Sequence, residues 1–319
     1  VTGWLLVARA NNYGLTRDAA LLRTTLALLG QEAGFATTRQ RSLLARLAGR
    51  GAADTIIHLE RAHWRWLGAG RRNWLIPNQE RFPRRHLGRL RHFDLVLAKS
   101  RHAARIFSSL GVPTEYLGFT SEDRLDPAVE TDYGCFFHLA GASTLKGTET
   151  VLELWQRHPE WPELVLVQKE ANAPKSVPRN VRLLSGYLED TELKRLQNGC
   201  GIHLCPSRAE GWGHHIVEAM SAKAVVVTTD APPMNEHVTA ECGVPVPWQT
   251  EEPRHLGICY AVDPQALEAA IERLIAMPAS DKQAMGERAR SRFLDIDQAF
   301  RDRLARLLDD GQLPAGKAS

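Results

Sequence analysis

The sequence has no apolar run approaching the ~18 residues that a membrane-spanning helix needs, so no part of it reads as a span. Cysteine is scarce: Cys135, Cys200, Cys205, Cys242 and Cys259 are odd in number and form no Cys-x-x-Cys pair. That usage argues against a zinc site or a disulfide framework and reads as a chain of the reducing cytoplasm. Gly-Lys followed by Ser or Thr is missing too. In GASTLKGT (141–148) the order is Lys-Gly, which excludes the phosphate-binding P-loop. Only 8 of the 40 basic residues are lysine, and no DNA- or RNA-binding motif is present, so no nucleic-acid partner is expected. There is no internal repeat and no low-complexity tract. The opening VTGWLLVARANN carries no basic leader and reads as a first strand, not a signal peptide.

Charge and periodicity divide what remains. Residues 1–127 hold 20 Lys and Arg against 10 Asp and Glu, a balance of +10; the rest hold 20 against 27, or −7. The asymmetry suggests halves with different partners. WLLVARA, TIIHL, NWLIP, FDLVLAKS and TEYLGF read as strands between helical or polar stretches, with Thr16 as an N-cap and Gly30 as a stop for the first helix. RLDPAVETDYG (124–134) reads as a linker. A second alternating series follows: CFFHLAG, a helix near 148–158, ELVLVQ, NVRLLSG, a helix near 191–198, GIHLCPS, a helix through IVEAMSA, and AVVVTTD. Strands alternating with helices imply an α/β protein with parallel sheets covered on both faces. The expected domains are 1–127, 128–275 and a helical tail, 276–319, packing back toward the first.

The chemistry concentrates in residues 200–238. GIHLCPS delivers the chain from a buried strand into RAEGWGHH, and ligands of open parallel sheets bind outside such carboxyl ends. Gly211 and Gly213 let backbone approach a ligand closely. A helix starting near His214 would point its amides and positive dipole end at a diphosphate. Glu210 and Glu218 border the same place as acceptors for hydroxyls.

PSRAEGWGHHIVEAM followed by AVVVTTDAPPMNEHV resembles the donor-binding signature of the retaining glycosyltransferases of family 4, which have the GT-B fold. NVRLLSGYLEDTELKRLQNGCGIHLCPS and HLAGASTLKG resemble the units before it, so the likeness covers about residues 135–240. It implies two Rossmann-like domains facing a cleft, the second holding a nucleotide sugar (UDP-, GDP- or another NDP-sugar) as co-substrate and no other cofactor. Glu210 would contact donor-sugar hydroxyls and Glu218 the ribose. Backbone of Gly211, Trp212, Gly213 and His214 would meet sugar and diphosphate. Lys146 would neutralise the leaving phosphate, Tyr187 and Leu188 would read the base, and Glu236 is a further acidic position. The family's Arg before the Lys-Gly pair is missing here, where Ser143 offers a hydroxyl instead. Lys223 stands where the family has glycine, a matter of ending the helix. Trp212 reads better as packing than as a stacking platform.

In the first half Gly14 and Leu15 match a loop that approaches the diphosphate, and Glu60, Arg61, Asn78 and Glu80 lie near strand ends on the acceptor side. The acceptor is expected to be a glycan, a lipid-linked sugar or a small molecule. RFPRRHLGRLRHFD (81–94) is basic with interleaved apolar residues, either a solvated helix face, a contact with an anionic acceptor, or a contact with the anionic inner face of the membrane. LDID (294–297) offers an Asp-x-Asp, but within a helical run, so no metal is expected. The implied activity is retaining, metal-independent glycosyl transfer in glycan, polysaccharide or glycolipid assembly. A catalytically silent sugar-nucleotide-binding subunit and a GT-B-fold nucleotide-sugar epimerase stay open as alternatives.

Overall fold

The computed structural model describes residues 3–9 and 14–309, and its contacts divide the chain into two units. Unit 1 takes the residues up to Thr120 together with those from Asp295 on, and unit 2 is Ser121–Leu294. The division falls seven residues ahead of the expected 127/128 boundary, and the tail beyond 276 is shared between the units.

Unit 1 runs β1 (Trp4–Ala8), α1 (Gly14–Leu28), β2 (Ala33–Thr37), α2 (Leu43–Leu47), β3 (Ala53–Glu60), β4 (Gly70–Pro77), β5 (Leu95–Ala98), α3 (Arg101–Ser109) and β6 (Thr114–Tyr116). Its six strands are all parallel, in the order β2-β1-β3-β4-β5-β6. α1 begins two residues ahead of Thr16, which is therefore not its cap. Gly30, at φ 75°, does close it, since that left-handed conformation suits a residue without Cβ. Ser100 caps α3 by accepting from the Ala103 amide at 3.0 Å.

Unit 2 runs β7 (Asp132–Gly141), α4 (Thr148–Arg157), β8 (Leu164–Gln168), β9 (Val181–Leu184), α5 (Asp190–Gly199), β10 (Cys200–Cys205), α6 (His214–Ser221), β11 (Val225–Thr229), α7 (Met234–His237), β12 (Gly243–Val246), β13 (Trp248–Arg254), β14 (Gly257–Val262) and α8 (Pro264–Ala276). α9 (Ala279–Asp309) begins in unit 2 and ends in unit 1. Its unit 1 portion stacks Phe300 on Phe119 at 5.1 Å and donates from Arg303 Nε to Leu117 O at 2.7 Å. LDID lies on this helix, with Asp297 accepting from Arg301 at 2.8 Å and from Thr120 at 2.7 Å.

The main sheet of unit 2 is parallel, in the order β12-β11-β10-β7-β8-β9, and β13 with β14 forms an antiparallel hairpin that the sequence reading did not anticipate. Every residue of β8, β10 and β11 is buried, as continuous apolar strands covered on both faces should be. Phe136, Trp155, Ile202, Leu204, Val225 and Leu267 share one core.

Two readings need correction. Cys135 and Cys200 are joined in a disulfide, with Cα atoms 4.7 Å apart, where no bridge was expected. Adjacency of β7 and β10 brings together residues 65 apart, which no spacing in the sequence reveals. Arg124, which opens the stretch read as a linker, is not a surface residue but is 1% exposed.

Candidate active site

The strand order of unit 2 reverses between β7 and β10, because successive connections from β7 run to one side and those from β10 to the other. Loops leaving the carboxyl ends of two such neighbours diverge and leave a crevice, the usual ligand position in open α/β sheets. Here those loops are 142–147, after β7, and 206–213, after β10. They carry Lys146 and Glu210.

The structure brings these two together. Lys146 Nζ donates to Glu210 Oε1 at 2.5 Å and to His215 Nδ1 at 3.1 Å. The side chains of Lys146 and Glu210 are 15% and 14% exposed, so they meet in a partly dehydrated place. His215 Nε2 lies 3.1 Å from Ser207 Oγ. With Nδ1 accepting from the ammonium, Nε2 carries the ring proton and donates to that hydroxyl. Burial, and then Lys146, drive the His215 pKa well below its ordinary value, in keeping with a neutral ring. His138 beneath the loop is also held neutral by burial, at about 4; it donates to Leu204 O at 2.7 Å and accepts from Thr148 at 2.9 Å.

Backbone conformation fixes both loops. Gly213 precedes α6 at φ 98°, a conformation closed to most side chains, and sets the entry angle of the helix. Gly147 holds φ 71° ahead of α4, where a Cβ would collide with Pro206 O of the partner loop. Ser143 accepts from the Leu145 amide at 3.1 Å and so shapes the turn that presents Lys146. Trp212 is 4% exposed and donates its indole N–H to Ser121 Oγ at 3.1 Å. Ser121 is 2.9 Å from His214 Nδ1, and His237 Nε2 donates to Trp212 O at 2.7 Å. The Trp212 ring therefore packs the loop from inside, against the edge of His237 at 4.2 Å.

Glu218, fifth of the eight α6 residues, is 1% exposed and accepts from Gln197 Nε2 at 3.3 Å. Arg124 supports this arrangement. Its Nε donates to Gln197 Oε1 at 2.8 Å and its other nitrogens to Asp190 at 2.8 and 3.1 Å. Tyr187 (88% exposed) and Leu188 follow β9, two strands from β7 and so roughly 10 Å to its side at the usual strand spacing. The Leu188 side chain packs on the cluster of Phe137, Val165 and Leu196. Glu236, partly buried in α7, takes a hydrogen bond from Arg292 on its carbonyl at 3.2 Å.

Within unit 1, the loop expected to approach a diphosphate falls on residues 10–13, outside the described residues. Gly14 and Leu15 open α1, and the Leu15 side chain also lies outside the described set. Glu60, Arg61, Asn78 and Glu80 gather at the adjoining carboxyl ends of β3 and β4. Glu60 is 7% exposed at φ 70°, paired with Arg61, and its carbonyl accepts from the Asn78 amide at 3.2 Å. A non-glycine residue in that conformation is costly, and such strain collects at functional places. Glu80 is 4% exposed, 3.9 Å from Arg81. Burial lowers His63 and His86 to about 4 and His58 well below its ordinary value, so all three imidazoles are neutral.

Sequence reasoning marked His215, with His214, only as a polar departure from the family that could tune sugar choice, and it missed Ser207, Arg124 and Gln197. For Ser207 a signal existed in a polar residue at the end of an apolar strand. For Arg124 and Gln197 there was none. Among the described residues no group of three or more His, Cys, Asp or Glu is placed to hold a metal ion, and none of the helices is long and apolar enough to cross a membrane.

The family model for glycosyl transferases group 1 matches residues 131–292, which is 162 of the 319. No curated protein matches the sequence significantly. Solved structures resemble the fold along its whole length. HepE from Anabaena, in complex with UDP and glucose, aligns with TM-score 0.70 and 17% identity over 97% of this chain and 100% of its own. Sucrose-phosphate synthase from Thermosynechococcus elongatus aligns at 0.74 and 14%, over 97% and 98%. A glycosyltransferase from Rickettsia africae aligns at 0.72 and 14%, over 99% of both chains. Two α/β units with parallel six-stranded sheets and these neighbours identify the GT-B fold.

Proposed function

The chain belongs to the glycosyl transferases group 1 family, and from that premise we propose that it moves a sugar from a nucleoside-diphosphate donor to an acceptor hydroxyl with retention of configuration. The observation that carries this reading is the meeting of Lys146, Glu210 and the first turn of α6 at the switch point of unit 2. UDP sugars are the first donors to test, since HepE is seen with UDP-glucose.

Breaking a glycosyl–phosphate bond leaves negative charge on the diphosphate. The Lys146 ammonium and the positive end of α6 stabilise that charge as it develops. Glu210 accepts from sugar hydroxyls and Glu218 from the ribose, while the backbone after β9 meets the base. The acceptor oxygen attacks the anomeric carbon from the face the diphosphate leaves, and the acceptor proton passes to a diphosphate oxygen. The step therefore needs no enzymic nucleophile. Lys146 and the helix end supply the charge compensation that a divalent cation gives in other glycosyltransferases, so turnover is expected without added metal. Acceptor recognition falls to Glu60, Arg61, Asn78 and Glu80 of unit 1, with a glycan, lipid-linked or small-molecule acceptor.

The test incubates the protein with a panel of nucleotide sugars, with and without chelator, and follows released nucleotide and the anomer of the product. Release from one donor that survives chelation and is lost in Glu210→Ala supports the reading. Binding without release from any donor would sink it in favour of a silent subunit. An isomerised nucleotide sugar would instead mark an epimerase.

A further inference from the structure

The stretch from Gln40 to Arg50 places apolar side chains where the fold does not use them. α2 follows β2, the edge strand of the unit 1 sheet, and none of its residues is buried. Leu43, Leu44 and Leu47 are 47%, 78% and 80% exposed, and nearby Trp64 is 41% exposed. The Arg46 guanidinium lies 5.0 Å from the Trp64 ring centre and that of Arg65 lies 5.4 Å from it, so α2 and Trp64 form one patch.

The patch is held in place. Ser42 caps α2 by accepting from the Ala45 amide at 3.1 Å. Arg41, 6% exposed, donates to Ala45 O at 3.5 Å, Arg50 O at 2.8 Å and Arg65 O at 3.1 Å. One buried guanidinium thus ties α2 and the chain after it to the 61–69 turn, while the leucines stay outside.

The chain segments that form the patch are basic. Between Glu32 and Asp54 the chain carries Arg39, Arg41, Arg46 and Arg50 and no acid, and between Glu60 and Glu80 it carries Arg61, Arg65, Arg71 and Arg72 and no acid. Arg39, Arg46 and Arg50 are exposed. A second copy docked here would set Arg39, Arg46 and Arg50 against their equivalents, with no acid in the chain between Glu32 and Asp54 to offset them. An anionic lipid surface complements both features: acyl boundary for Leu and Trp, headgroup phosphates for Arg. We infer that the α2–Trp64 patch of unit 1 seats the protein on an anionic bilayer. The more basic stretch 81–94 does not serve in this way, because its Phe82, Leu90 and Phe93 are 0%, 4% and 5% exposed and have no apolar surface to insert.

The inference is independent of the reaction proposed above. The full chain is mixed with vesicles of phosphatidylglycerol and phosphatidylcholine, or of phosphatidylcholine alone, and the bound fraction is read by flotation. Binding is expected to the anionic vesicles only, and to weaken as salt shortens the range of charge attraction. Leu44→Glu with Leu47→Glu should lower the partition coefficient at least tenfold, and Arg46→Ala with Arg50→Ala about 30-fold, from the usual contribution of each group. These positions are exposed, so the circular dichroism spectrum and melting temperature should stay unchanged, which separates lost docking from lost folding. No partition, equal binding to neutral vesicles, or partition indifferent to these substitutions would overturn the inference. So would a dimer in sedimentation that the leucine variant dissolves, since it would show the patch to be a protein interface.

Discussion

Replacing Lys146 by Met removes the ammonium that faces Glu210 and His215 while keeping most of the side chain's bulk. The size of the effect follows from its surroundings. Unit charges about 4 Å apart at an effective dielectric near 20 interact by about 4 kcal/mol, a suitable regime for a side chain 15% exposed. Glu210, 2.5 Å from the same nitrogen, offsets part of that field. About half, or roughly 2 kcal/mol, then remains for the charge that grows on the leaving diphosphate, which corresponds to a loss of about 30-fold. Because the diphosphate is more negative in the transition state than in the bound donor, the loss should fall on kcat, with donor KM changed by less than about fivefold. Lys146→Arg keeps the charge but not the compact geometry that reaches both Glu210 and His215, so it should recover only part of the rate. The assay is initial-rate release of nucleotide from the preferred donor, with chelator present and folding checked by circular dichroism. A Met variant whose kcat stays within threefold of the parent, or whose deficit lies wholly in KM, would refute the assignment of Lys146 to the leaving group.

Arg124→Met should be costly to stability, because it strips hydrogen bonds from Gln197 and Asp190 and leaves Glu218, 1% exposed, without its nearby cation. Breaking one side of such a buried arrangement costs about 3–5 kcal/mol, or roughly 10 °C in melting temperature; a scan within 2 °C of the parent contradicts it. Acid should also destabilise the protein. His138, His203 and His237 are held at about 4 by burial, against an unfolded value near 6.5. Between those values the unfolded chain binds protons that the folded chain refuses, so stability falls as pH drops from 6.5 toward 4, by about 2 kcal/mol per histidine at pH 5. Melting temperatures recorded from pH 7.5 to 5 should decline and His203→Gln should flatten the decline, whereas a level profile in the parent rules the account out.

How far the sequence could be read depends on the range of the interaction concerned. Periodicity located the strands CFFHLAG, ELVLVQ and GIHLCPS, because apolar runs bounded by turns are local signals. It placed the start of the second domain's key helix near His214, where α6 begins. Lys223, standing where the related family has glycine, sits at φ 61° just past α6, so helix termination was the right physical reading. The hairpin β13–β14 escaped because WQTEEPR, polar apart from Trp248 and Pro253, shows no alternating apolar pattern and is exposed along nearly its whole length. The disulfide and the burial of Arg124 escaped for a different reason, since each depends on partners 65 or more residues away.

The sequence alone determined the alternation of strands and helices, the glycine loop that ends on α6, and the family signature from Pro206 to Met220. Local sterics and hydrophobic period suffice for each. Only the tertiary structure decided that Lys146 faces Glu210, that His215 stands neutral behind them, and that the α2 leucines point to solvent. Strand order made those choices: β7 and β10 are neighbours in the sheet although residues 142 to 199 separate them in the chain, and β2 is an edge strand of its sheet.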